Sequence, residues 1–378
     1  MNRRDFLRAG TAMSMVGLGR IAALPGAAGA AQTAAAPRAR AIGGLRLNSN
    51  ENALGLAPAA REAVIEALGS ANRYPDDVRD RLIETLAAQH GVEAESIVLG
   101  TGSTDILQMI VQAAATPNQQ LVLADPTFEA IIRYQRPLAY RMVKVPLDDH
   151  FGHDIQQMRD AVRAQRPAVV YICNPNNPTG TLTPSADIDA WIEEAPETVL
   201  FAIDEAYYEY VRAPGYWSAV KWIKKRPNVV VAHTFSKIYA MAGLRLGYAI
   251  AHPDTAQRLR EFLSSDNATG PALAAGLASL GDQDLIQRSR AANEQAKKIT
   301  LECLDELGLE HLPSHTNFLM HRINGDLDTY RRRMRERGIY VGRPFPPLLD
   351  YNRLSLGLPE EMEWFTEVLR EFRTAGWV

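Results

Sequence analysis

The run Val169-Val170-Tyr171-Ile172-Cys173-Asn174-Pro175-Asn176-Asn177-Pro178-Thr179-Gly180 decides the fold. Its first five residues are uninterrupted apolar or aromatic side chains, the texture of a strand covered on both faces, and the following seven are too rich in proline to continue it. A buried strand running straight into a polar turn is what an open parallel sheet presents where it binds ligands, just beyond the carboxyl ends of its strands. The same form recurs along the chain. Val199–Ile203 ends in Asp204, with Tyr207 three residues on, and Val229–Ala232 leads to His233-Thr234-Phe235-Ser236-Lys237, with Arg245 eight residues later. Ile97–Leu99 leads to Gly100-Thr101-Gly102-Ser103-Thr104-Asp105 at a helix start, where free backbone N–H groups and the helix dipole suit a phosphate.

Working outward, Leu121–Ala124 and Tyr248–Ala251 add two more apolar strands. Helices are predicted between the strands over Asp105–Ala115, Phe128–Arg136, Asp154–Ala164 and Ala186–Glu194. This alternation predicts an α/β fold with a mainly parallel sheet flanked by helices. After about Asn267 the texture changes to long helices at Ala272–Leu280 and Leu285–Leu307, strands near Phe318–His321 and Arg353–Leu356, and a last helix over Glu360–Phe372. We therefore expect a large domain over 75–266 and a smaller α+β domain over 267–378, with 45–74 as an N-terminal arm that joins the smaller part.

The chain has 378 residues, 46% hydrophobic and 22% charged, which excludes wholesale disorder and an integral membrane protein. Lys plus Arg number 41 against 44 Asp plus Glu, a balance that argues against a nucleic-acid binder working by broad phosphate neutralisation. The sum hides two unlike parts. Residues 1–30 read as a basic stretch (Arg3-Arg4-Asp5-Phe6-Leu7-Arg8), an apolar Gly/Ala-rich run and a small-residue end (Ala28-Gly29-Ala30), the layout of a bacterial twin-arginine export signal. That segment holds four arginines and one aspartate, so the remainder of the chain is distinctly acidic. Its apolar run is short and broken by Arg20, so stable membrane insertion is not expected. Residues 31–44 read as a flexible lead-in. A periplasmic location reached by the twin-arginine machinery is expected, and any cofactor would then be loaded in the cytoplasm before transport. The two cysteines, Cys173 and Cys303, are expected as inert core thiols, and no histidine pair has metal-ligand spacing beside a carboxylate.

A phosphate cradle, an acid for a ring nitrogen and a lysine for an aldehyde are together what pyridoxal 5'-phosphate demands. With this set on the page, the chain resembles the fold-type I pyridoxal-phosphate aminotransferases, class I/II, and within them the histidinol-phosphate aminotransferase-like branch. The motifs that carry the resemblance run in order: Leu47-Asn48-Ser49-Asn50-Glu51-Asn52, Arg73-Tyr74-Pro75-Asp76, Asp125-Pro126-Thr127-Phe128, the Asn174–Gly180 turn, Asp204-Glu205-Ala206-Tyr207, Ser236-Lys237 with Ala242-Gly243-Leu244-Arg245-Leu246-Gly247-Tyr248, Asn317-Phe318, and Arg353-Leu354-Ser355-Leu356-Gly357.

The resemblance implies Lys237 as the Schiff-base lysine, Asp204 as partner of the pyridine nitrogen, and Asn177 with Tyr207 on the ring phenolate. It implies Phe128 on the ring face, and Gly102, Ser103, Thr104, Thr234, Ser236 and Arg245 around the phosphate, with Tyr74 reaching there from the second subunit of a homodimer. Arg353 would grip the substrate carboxylate, with Asn177 and Asn50 beside it. Transfer of an amino group from an α-amino acid to a 2-oxo acid or related carbonyl compound is the expected reaction. Decarboxylation of a phosphorylated amino acid or β-elimination on the same site stays open, as does an inactive exported binding protein. One departure concerns the substrate. In this branch an arginine for a substrate phosphate directly follows a Gly-Ile/Val-x-Val strand; here Gly342 follows Gly338-Ile339-Tyr340-Val341, and Arg343-Pro344-Phe345-Pro346-Pro347 comes one residue late. A stiff apolar wall there favours an ordinary or aromatic amino acid.

Overall fold

The computed structural model describes residues 44–116, 118–164 and 168–378. The expected export segment and nearly all of its lead-in lie outside the described residues. Among the described residues eleven strands follow one another: β1 (Leu45–Leu47), β2 (Ile97–Gly100), β3 (Gln120–Asp125), β4 (Arg141–Pro146), β5 (Ala168–Cys173), β6 (Val199–Asp204), β7 (Val229–Thr234), β8 (Gly247–Ala251), β9 (Phe318–Arg322), β10 (Ile339–Val341) and β11 (Tyr351–Ser355).

Seven strands form one sheet in the order β2-β8-β7-β6-β5-β3-β4. Only β8 runs against its neighbours, being antiparallel to both β2 and β7, so β2 points the same way as the parallel set. Every residue of β5 and β7 is buried, as continuous apolar strands of a two-sided sheet should be. The alternation of side chains sends Val170, Ile172, Phe201 and Val231 into one core layer and Val169, Tyr171, Ala202 and Val230 into the other. One strand of this sheet was not foreseen. β4 lies at the sheet edge with Arg141 and Met142 exposed and only Val145 buried, so it lacks the apolar run that marks an interior strand.

A separate core gathers β1, β9, β10 and β11 with the helices Leu285–Glu306, Leu327–Glu336 and Pro359–Thr374, around Leu319, Met334, Phe365 and Leu369. The helix Gly270–Gly281 behaves differently from its place in the chain. It packs on Pro58–Ala67 and Asp76–His90, and its Ala272, Leu273 and Ala275 share the larger core with Leu82 and Leu86. It therefore belongs with the large sheet rather than with the part expected to begin at residue 267. Among the described residues no helix is long and apolar enough to cross a membrane.

The common direction of β2, β5, β6 and β7 places the Gly100–Thr104 turn, the Asn174–Gly180 turn, Asp204–Tyr207 and Phe235–Lys237 along one edge of the sheet. β1 pairs parallel with β10, Leu45 opposite Ile339, and so brings Asn48–Asn52 to that same edge from the other core.

Candidate active site

A cavity of about 220 Å³ opens along this edge, lined by Ser103, Thr104, Phe128, Asn177, Asp204, Tyr207, Thr234, Ser236, Lys237, Arg245, Arg353 and Asn50. These are the residues named from sequence, apart from Gly102 and Tyr74. Gly102 sits behind the lining as the residue capping the helix Ser103–Ala113, at φ +81°, with no side chain capping the helix N–H groups. A Cβ on Gly247 would run into the Ser103 backbone N, so close approach requires that glycine, while Gly102 is required by its left-handed backbone and lies against the Arg245 guanidinium. Tyr74 is 77% exposed and does not line the cavity of its own chain.

One end of the cavity is a cup of donors. Arg245 spans it, with Nη2 3.4 Å from the Thr104 hydroxyl and 3.3 Å from the Thr101 carbonyl, and Nη1 2.9 Å from the Ala242 carbonyl. Nη1 also lies 3.4 Å from the Ser236 hydroxyl, and Ser236 N donates to the Thr234 hydroxyl at 3.1 Å. Thr234 thus buttresses Ser236 as well as lining the wall. Helix N–H groups, three hydroxyls and a guanidinium without a lining carboxylate at this end are the donor set for a phosphate.

Asp204, 1% exposed, lies away from the cup. Burial raises its carboxyl to about 6, against a hydrogen bond from the Tyr171 hydroxyl at 2.9 Å and one from Ala206 N. Behind it, His233 is paired at 2.9 Å with buried Glu205; burial alone would lower this imidazole, but the Glu205 contact raises it, and its charge favours ionised Asp204.

Lys237 is pulled down to about 8, first by burial and then by Arg353, with Glu51 and Asp204 opposing. Its Nζ donates to the Asn50 carbonyl at 3.2 Å. Besides Lys237, Asn50 holds three neighbours at once: its Nδ2 donates to the Tyr207 hydroxyl at 3.0 Å, its Oδ1 accepts from Ser355 at 3.0 Å, and its carbonyl also accepts from Asn317. It does so at φ +53°, a left-handed backbone that asparagine tolerates better than most residues. Burial keeps the Tyr207 phenol protonated, well above its ordinary pKa.

Arg353, 8% exposed, donates to Asn177 Oδ1 at 2.8 Å and to the Asn48 carbonyl at 3.0 Å. Its Nε is buried with no partner among the described residues, and burial followed by the Arg343 charge lowers its pKa to about 10. Arg353 lines the cavity, and a buried guanidinium there is a ready anion grip. The Phe345 ring lies 4.6 Å from this guanidinium and 4.1 Å from that of Arg343, which in turn is paired with Glu129 at 2.6 Å.

Sequence reasoning missed Ser49, Cys173, Ala206 and Ala242 in the lining and Tyr171, Asn317 and Ser355 as supports. Two of these had signals. A tyrosine inside a fully buried strand needs a partner for its hydroxyl, and the period of two along β11 puts Ser355 on the same face as Arg353. Cys173 is a buried free thiol with its pKa raised by burial, yet it also borders the cavity.

Residues 42–369 match the family model described as aminotransferase class I and II. The chain belongs to the class I and II aminotransferases. Its sequence is 35% identical over 330 residues to histidinol-phosphate aminotransferase 1 of Cupriavidus pinatubonensis, covering 86% of this chain and 87% of that relative. It is 37% identical over 334 residues to histidinol-phosphate aminotransferase 1 of Thiobacillus denitrificans, covering 88% and 86%. Histidinol-phosphate aminotransferase from Sinorhizobium meliloti, solved in complex with pyridoxal-5'-phosphate, superposes with a TM-score of 0.81 at 28% identity, over 88% of this chain and 91% of that one.

As an aminotransferase the chain uses pyridoxal 5'-phosphate to move amino groups between amino acids and oxo acids. The residues present fit the cofactor: an acid-free cup of phosphate donors at one end, a buried acid away from it, and between them a lysine partly relieved of its proton. Bound, the cofactor supplies the electron sink that weakens the bonds at the substrate α-carbon.

Proposed function

We propose that this aminotransferase takes an α-amino acid with an uncharged, apolar or aromatic side chain as amino donor. The observation that carries this reading is the Glu129–Arg343 ion pair, which with the Phe345 ring engages the one arginine, among the described residues, other than Arg353 in contact with that ring. An anionic side chain would have to displace Glu129 to reach Arg343, whereas an apolar one meets Phe345 directly. In this reading Arg353 holds the donor carboxylate as a two-donor fork and Asn177 keeps that fork in place. Lys237 holds the cofactor at rest and, as a neutral amine, moves the proton at the α-carbon. Asp204 faces the ring nitrogen, Tyr207 and Asn177 donate to the ring oxygen, and Phe128 covers the ring. Gly102, Ser103, Thr104, Ser236 and Arg245 take the phosphate. Tyr74, exposed on its own chain, serves the neighbouring site of a homodimer.

A second reading is favoured by the relatives named above, whose names give histidinol phosphate as their substrate. A phosphorylated amino alcohol has no α-carboxylate and would place its phosphate on Arg353 or on an Arg343 released from Glu129. Single-turnover half-reactions of the cofactor-loaded protein with phenylalanine, leucine, glutamate and histidinol phosphate, followed by cofactor absorbance, separate the two. Fast conversion by phenylalanine or leucine and slow conversion by histidinol phosphate is the expected result, and the reverse order overturns the proposal. Carbon dioxide or ammonia release without conversion of the cofactor would instead mark a lyase.

We infer further that residues 1–30 direct export by the twin-arginine route and that the protein works in the periplasm, with cofactor loaded beforehand. The motif Arg3-Arg4-Asp5-Phe6-Leu7 supports this. Replacing Arg3 and Arg4 with lysine is expected to leave active enzyme in the cytoplasm; undiminished periplasmic activity would refute the export reading.

A further inference from the structure

A second cavity, of about 250 Å³, lies outside the catalytic one, bounded by the helix Leu285–Glu306, the turn after Tyr210 and the Ser314–His315 loop. Arg290 and Lys297, seven residues apart, face it from the same helix two turns from each other. Neither is in an ion pair with any described residue: Lys297 Nζ donates to the Ser314 carbonyl at 2.8 Å, and Arg290 Nε donates to the Glu209 carbonyl. At the rim Arg212 is matched by Glu294 at 3.0 Å, so that pair contributes no net charge. His315 is held below its ordinary pKa by burial and by Lys297, and is neutral near pH 7. Glu209, a buried acid near Arg290, does not line the cavity. Tyr210 does, at 7% exposure, and no hydrogen bond holds its phenol among the described residues.

Arg212, Arg290 and Lys297 outnumber the one lining acid, Glu294, so the cavity carries an excess of two positive charges, with spare N–H donors on Arg290 and Lys297 and the unused Tyr210 hydroxyl. We propose that it is a second anion site, which takes a phosphate-type dianion, as inorganic phosphate or as the head of a phosphate monoester, independently of the cofactor cup. Charge sets the class: an excess of two cations over the lining acid matches a dianion, while a single carboxylate leaves one cation unmatched. Size agrees, because the volume admits a tetrahedral oxyanion with room for water or a small ester group.

Lysine reactivity in the cofactor-loaded enzyme tests this without any substitution. Burial lowers Lys297 to about 8, so near pH 8 a large share of it is a nucleophilic amine. Inorganic phosphate is expected to slow its acylation, read by mass spectrometry, about five-fold relative to chloride at equal ionic strength, if the bound dianion raises its pKa by one unit. Exposed Lys298 serves as the internal control and should not change. Equal rates in the two salts overturn the proposal. In a second measurement phosphate should raise the melting temperature of the wild type and of Arg343→Met but not of Lys297→Met. Loss of that shift in Arg343→Met with its retention in Lys297→Met places phosphate at the catalytic mouth and refutes the second site. The ester arm uses phosphoethanolamine: protection of Lys297 by it as well as by phosphate identifies a site open to esters, and protection by phosphate alone identifies a site for the free ion.

Discussion

Two lysines of this protein, Lys237 and Lys297, are both pulled down to about 8, and both chiefly by burial, in cavities of about 220 and 250 Å³. Their surroundings differ. Across from Lys237 stands Asp204 at the end of β6, with Tyr207 and Asn177 to orient a ring; around Lys297 stand Arg290, Tyr210 and the Ser314 carbonyl. A lowered pKa makes a lysine available for chemistry, and the groups facing it decide whether chemistry follows. The first cavity sets the Arg245 cup apart from the Asp204 acid, with Lys237 between them, and suits a cofactor of opposed ends. The second has net positive charge and suits an anion.

The sharpest way to break the contrast is to remove each amine. Lys237→Ala should abolish the absorbance of the lysine-bound cofactor and lower transamination by about 10³-fold or more, the loss of both an attachment point and a base. Lys297→Met should leave turnover within about two-fold of wild type, and a large loss would erase the distinction between the two sites. Asp204→Asn makes the first cavity more like the second by deleting its acid; kcat should fall by about 10²-fold, since an amide cannot hold a charged ring nitrogen. Cofactor binding measured alongside separates that loss from misfolding.

The pH dependence of cofactor attachment to the cofactor-free protein comes next. Only the neutral amine attacks an aldehyde, so the attachment rate should rise about ten-fold per pH unit below about 8 and level off above it. A plateau reached only near pH 10 would show that Lys237 is not relieved of its proton by burial. The smallest effect is expected from Glu129→Gln, which leaves Arg343 without its acid and so adds an unmatched cation beside the Phe345 ring that Arg353 also touches. The ratio of kcat/KM for glutamate to that for phenylalanine should rise about five-fold, within the roughly 1 kcal/mol of an exposed ion pair. An unchanged ratio would take side-chain selection away from the pair.

Much of the site was legible because its residues sit where apolar strands stop. The ends of β5, β6 and β7 each carry a polar residue that no buried strand would need, and the Gly102 turn announces a helix start. Three features were not legible, for different reasons. β4 is an edge strand whose exposed Arg141 and Lys144 give no apolar run. The helix Gly270–Gly281 is so rich in alanine and glycine that its pattern does not say which core it serves; close packing on Pro58–Ala67 decides that in three dimensions. Asn50 as a hub depends on contacts with residues 157 to 305 positions away, which no local pattern encodes.

That last feature orders events in time. Asn50 is made early, but the partners that hold it, Asn317 and Ser355, are made more than 260 residues later, and β1 has no strand to pair with until β10 exists. While the chain is still being synthesised, the central sheet can form with Lys237 at its edge, but the Asn48–Asn52 strap has nothing to dock on. The carboxylate-gripping side of the site therefore closes only after the last strand leaves the ribosome, so a chain truncated before residue 350 would retain the phosphate cup and lose the substrate grip.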